Sequence, residues 1–157
     1  MSKLQKAIAA GIFVLFLSSN AIASWPTTKF EVFEGMLEKS MFGIEEVETP
    51  APVPLTPQLK LDIESYYEEV ARELEGDLPS PAMRMIVDEA TGEAKYRIYY
   101  HQFAPDDLRY SSYAIFTTSG DCDPQLSHIT LNPTRLTEGG KLSHKGLGDM
   151  PHELVHA

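Results

Sequence analysis

Near its C-terminus the chain reads His152-Glu153-Leu154-Val155-His156, two imidazoles four residues apart with a carboxylate beside the first. In a helix each residue advances about 100°, so positions four apart lie one above the other on one face. His152 and His156 can then offer two ring nitrogens to one ion at about 2.0–2.1 Å, the distance Zn²⁺ takes from histidine. A bound Zn²⁺ lowers the pKa of its water towards about 7. Glu153 sits where it can take that proton as general base and pass it to a leaving amine. The chemistry spelled out is metal-assisted hydrolysis, catalytic only if a third protein ligand leaves one coordination position open. By chance the three fixed positions are expected in below about 1% of chains this long, and a motif of this kind gains weight only from its structural setting.

The third ligand is not spelled out. His101, Asp121, Cys122, Asp123, His128 and His144 are the upstream candidates, and spacing alone selects none of them. Cys122, the only cysteine, precludes an internal disulfide and otherwise reads as a small, partly buried loop residue. Because the motif falls on the last residues given, the chain is expected to be an N-terminal fragment, inactive alone, of a longer hydrolase that supplies the third ligand downstream.

Periodicity supplies the elements that must hold these groups. Asp149 is a candidate N-cap, and Pro151 is tolerated in a first helical turn, so the motif is expected on a final short helix. Before it, "LSHITLNP" alternates as a strand: His128, Thr130 and Asn132 share one face, opposite Ile129 and Leu131, with His128 expected to be exposed. "YSSYAIFTTS" reads as another strand, and "MRMIVDEATGEAKYRIYYHQF" as two strands around Thr91-Gly92. Leu59, Ile63, Tyr66, Tyr67, Val70 and Leu74 form a helical stripe within residues 58–76, closed by Gly76. The fold class expected is α+β: a mixed or antiparallel sheet of about four strands, a backing helix and a C-terminal helix that carries the site.

Further upstream, "TPAPVPLTP" (residues 49–57) packs four prolines into nine residues and reads as a stiff linker. Residues 24–48 form an N-terminal arm, in which Phe30, Phe33, Met36 and Leu37 predict a short amphipathic helix. Residues 1–23 carry Lys3 and Lys6, a short apolar run and Ala21-Ile22-Ala23. That is the layout of a cleavable signal peptide, too short to span a bilayer, so a periplasmic or secreted product without a stable membrane anchor is expected. A formal charge of −10 leaves no basic footprint for nucleic acid.

Taken together, "HITLNPTRL" and "MPHELVHA" are similar to the zincin metallopeptidases, and locally to the SprT-like (spartan-type) branch. The resemblance covers about residues 128–157 and extends loosely over the helix at 58–76 and the hairpin. It implies Zn²⁺ held by His152 and His156, Glu153 as general base, and His128, Ile129, Thr130, Leu131 and Asn132 as an edge strand holding a peptide or protein substrate. The domain at 58–157 would then be zincin-like and incomplete. SprT-like proteins act inside the cell on protein attached to DNA. The export signal and negative charge set this chain apart, and the DNA role is not carried over. The alternative expectation is a non-catalytic, acidic, exported binding domain with a vestigial or chance metal motif.

Overall fold

A computed structural model describes residues 28–74, 76–119 and 123–157. The signal-peptide reading of residues 1–23 and the candidates Asp121 and Cys122 lie outside these. Among the described residues no helix is long and apolar enough to cross a membrane.

The elements run β1 (Lys29–Ser40), β2 (Gly43–Glu48), α1 (Pro57–Leu74), β3 (Met85–Val87), β4 (Ala94–Tyr100), β5 (Ala114–Thr117), β6 (His128–Leu131), α2 (Pro133–Leu136), β7 (Thr137–Glu138), β8 (Lys141–Leu142) and α3 (His144–His156), with a 3₁₀ turn at Leu108–Ser111. The main sheet is six-stranded and mixed, in the order β2-β1-β4-β6-β5, with β3 pairing β4. β1, β4 and β6 run parallel; β2, β3 and β5 are antiparallel to their neighbours. This is the α+β class expected from periodicity. The four strands read from sequence are β3, β4, β5 and β6.

Residues 29–48 correct the expected helix. They form the hairpin β1–β2, and β1 pairs with β4 from Lys29 to Glu34. The apolar residues of this stretch fit a period of two as well as one of 3.6. Phe30 and Val32 point to the core, while Phe33 lies on the other face against Tyr99 and Arg97. Pairing with β4 satisfies the backbone and decides between the two periods.

One face of the sheet is the core. Phe30, Val32, Tyr96, Ile98, Tyr100, Ile129 and Leu131 pack against Leu59, Ile63, Tyr67, Val70 and Ala71 of α1, and against Met150 and Leu154 of α3. The α1 stripe thus buries as its spacing requires. The outer face is polar. Glu46 accepts from Arg97 Nε at 2.9 Å and Tyr99 Oη at 2.9 Å. Burial pushes the Glu46 carboxyl up, but the bonds from Arg97 and Tyr99 outweigh it and hold the group below its usual range.

Tyr67 is fully buried and its hydroxyl has no hydrogen-bond partner among the described residues. Tyr100 is equally buried, but its hydroxyl donates to Val53 O at 2.8 Å. An unmet buried hydroxyl costs about 1–3 kcal/mol, whereas a met one contributes about 1 kcal/mol. Tyr67→Phe is therefore expected to leave the urea midpoint unchanged or raise it, and Tyr100→Phe to lower it. The reverse order would refute this account of the core.

Candidate metal centre

The motif helix starts earlier than its sequence suggests. Ser143, not Asp149, is the N-cap: its Oγ accepts from Gly146 N at 3.0 Å. Pro151 consequently lies inside α3 and lacks the N–H that would bond the carbonyl of Leu147 four residues back. Tyr66 of α1 fills that gap, its hydroxyl donating to Leu147 O at 2.6 Å. Burial raises the Tyr66 pKa, with Glu73 and Glu69 adding to it, so the group stays a donor. Gly146 permits the start of α3 to approach α2, since a Cβ there would lie 2.7 Å from Leu136 O.

From this cap the geometry of the motif follows. Gly146, Met150 and Leu154 form a buried stripe at steps of four. His152 and His156 lie about 200° round the helix from Leu154 and are exposed. Their Nε2 atoms are 3.0 Å apart and the rings are edge-to-face. Two nitrogens at about 2.0–2.1 Å from one zinc ion stand roughly 3–3.4 Å apart, so the pair fits as two of its ligands. Glu153 points between these faces towards β5, where its Oε2 accepts from the main-chain N–H of Phe116 at 2.6 Å.

The candidates for a third ligand do not join the pair. Among the described residues no group of three or more His, Cys, Asp or Glu side chains is placed to hold a metal ion. His144 opens α3, about 12 Å up the axis from His152. Asp123 caps the turn before β6, accepting from Gln125 N. His101 and His128 line a hollow of about 250 Å³ with Thr130, Phe103 and Arg109, on the sheet face away from α3. His101 Nδ1 lies 2.9 Å from Thr49 Oγ1, and His128 Nδ1 lies 2.8 Å from Leu126 O. Burial depresses the pKa of each, so both are held as neutral rings. His128 is not the exposed residue its alternation suggests, because Tyr99 packs edge-on against it with ring centroids 5.1 Å apart.

The expected edge strand is also corrected. β6 lies inside the sheet: Ile129 and Leu131 pair with Ile98 and Tyr100 of β4 on one side and with Phe116 and Ala114 of β5 on the other. Thr130 is buried, and Asn132 donates its Nδ2 to Tyr110 O at 2.9 Å. None of His128, Ile129, Thr130, Leu131 and Asn132 can therefore offer an open ladder to a substrate. Among the described residues the outermost strand beside the motif is β5, in which Ala114 is buried and Phe116 half-buried. Asn132 N donates to Tyr113 O at 2.9 Å, making that pair hydrogen-bonded. By the alternation of an antiparallel ladder Ile115 and Thr117 then face β6, while Ala114 and Phe116 turn their main-chain groups outward.

Sequence reasoning missed Tyr66, Ser143 and Phe116. Pro151 was the available signal for Tyr66, because a proline inside a helical pattern orphans the carbonyl four residues earlier. Phe116 acts through its backbone, which no residue type announces. No protein-family model, no curated protein and no solved structure matches this chain.

Proposed function

We propose that this chain carries the metal motif and general base of an exported, zinc-dependent peptidase of the zincin type, acting on extended peptide or protein segments. The observation that carries the reading is the convergence of His152 and His156 Nε2, at 3.0 Å, on an exposed helix face beside the outermost described strand. His152 and His156 would hold the ion, with a third donor from outside the described residues. When bound, zinc supplies a Lewis acid for the scissile carbonyl and a water that ionises near neutral pH. Glu153, which at rest accepts from Phe116 N–H through Oε2, would take the proton of the attacking water and return it to the leaving nitrogen. An extended substrate would lie along β5 from Phe116 onward, hydrogen-bonded through the outward main-chain groups of Phe116. The buried stripe of α3 and the Tyr66 bond keep the imidazoles in place while the substrate binds. The charge of −10 argues against nucleic acid as the partner.

Zinc titration of the protein expressed from its own gene tests this. One equivalent of Zn²⁺ is expected, and His152→Ala or His156→Ala should weaken it by at least about a hundredfold, beyond the roughly 10–100-fold that outer-shell partners contribute. A second reading, a non-catalytic acidic binding domain, is favoured by the lack of a third donor among the described residues. Absence of stoichiometric zinc would establish that reading over the peptidase.

A further inference from the structure

Phe116 N–H has two claimants. It points out of the sheet from the outermost strand, so it is the donor that a strand added to β5 must use. It is also the donor that holds Glu153, at 2.6 Å. A backbone N–H is a single donor and cannot serve two acceptors at full strength. We propose that the main-chain amide of Phe116 positions Glu153 while the β5 edge is empty and releases its Oε2 when a peptide carbonyl takes its place. This inference rests on the peptidase reading for its purpose, though not for its geometry.

Three features make the exchange workable. The Phe116 side chain packs against the core cluster, so the strand does not follow the carboxylate when it leaves. Leu154, next to Glu153, is buried in the same cluster, so the helix backbone stays still while the Glu153 side chain turns about its own bonds. The bond itself is charge-assisted, strong enough to order the side chain yet replaceable by another carbonyl on the same donor. The consequence is a base that is oriented at rest and freed only by an occupant that pairs with the edge through its main chain. Such an occupant is an extended segment.

Amide hydrogen exchange followed by NMR reads the latch without any assay of activity. The Glu153→Ala variant, which leaves Phe116 N–H in place and removes its acceptor, is the reference. The Phe116 amide is expected to exchange at least about tenfold more slowly in the wild-type protein than in that variant. Glu153→Gln, which keeps a carbonyl acceptor, should retain part of the protection. Equal exchange of the Phe116 amide in the wild type and in Glu153→Ala would overturn the latch. For the displacement, the probe is an unstructured decapeptide of alternating serine and threonine. It should protect the Phe116 amide of Glu153→Ala and bind that variant about tenfold more tightly than wild type, since its competitor is gone. Equal affinity, or no binding to either protein, would overturn displacement. Failure of zinc binding would leave these exchange rates as expected, and failure of the latch would leave zinc binding by His152 and His156 untouched, so the two ideas fall separately.

Discussion

Glu153→Gln is expected to lower peptide hydrolysis by about 10²–10⁴-fold, the usual worth of a general acid–base group, with zinc still bound at the wild-type level. The substitution keeps the size of the side chain and leaves a carbonyl oxygen for Phe116 N–H, so α3 and β5 should stay together. What it removes is the capacity to accept a proton from water and return it to the leaving nitrogen. The metal pair is untouched, because His152 and His156 lie on the exposed helix face and Glu153 turns towards β5. The measurement is kcat for an unstructured peptide, with zinc content determined on the same preparations. Unchanged hydrolysis would place the chemistry elsewhere. Loss of zinc together with activity would show Glu153 to be a ligand or a support for one, not a base.

The second large effect is on the fold. Gly35→Ala is expected to destabilise the protein by about 3 kcal/mol or more, from overpacking together with backbone strain. Gly35 is where β1 changes partner, leaving β4 after Glu34 and taking up β2. A Cβ built there falls within van der Waals overlap of Val47 O and 2.6 Å from Phe33 Cε1, at a φ of +157°. Both neighbours are fixed, Val47 by its pairing with Met36 and Phe33 by the ring of Tyr99 and the guanidinium of Arg97. Gly43→Ala is the control. Its φ is +133°, but nothing lies within 4 Å, so only backbone strain remains, roughly 1–3 kcal/mol. Urea unfolding of both variants decides the matter. If Gly35→Ala costs no more than Gly43→Ala, steric closure at the strand exchange is not what demands glycine.

Much that matters for the candidate site was local and therefore legible. The stripe from Leu59 to Leu74 needed only a helical period and one apolar face, and α1 forms there. The alternation around Thr91-Gly92 placed β3 and β4, and the β-branched and aromatic run placed β5. The motif named its own face: four-residue spacing brings His152 and His156 together on any helix, whatever surrounds it. Gly146, Met150 and Leu154 bury at the same spacing on the other side, which turns the histidines to solvent.

What the tertiary structure alone decided is pairing across distance. Residues 29–40 could satisfy a helical or a strand period, and only β4, some sixty residues on, supplied the backbone partner that chose the strand. The identity of the edge turned on the same kind of contact. Nothing in "SHITLNP" records that β4 and β5 will occupy both of its sides, yet that occupation moves the edge of the described sheet from residues 128–132 to residues 114–117. Asp149 and Ser143 are both acceptable caps by residue type, and the approach of Gly146 to Leu136 together with the Tyr66 bond to Leu147 extended the helix back to the serine. The contact that holds Glu153 comes from an amide every non-proline residue possesses. Side-chain chemistry is written in the sequence, but a backbone donor becomes specific only when the fold leaves it unpaired beside an acceptor, and that depends on which strand ends up outermost.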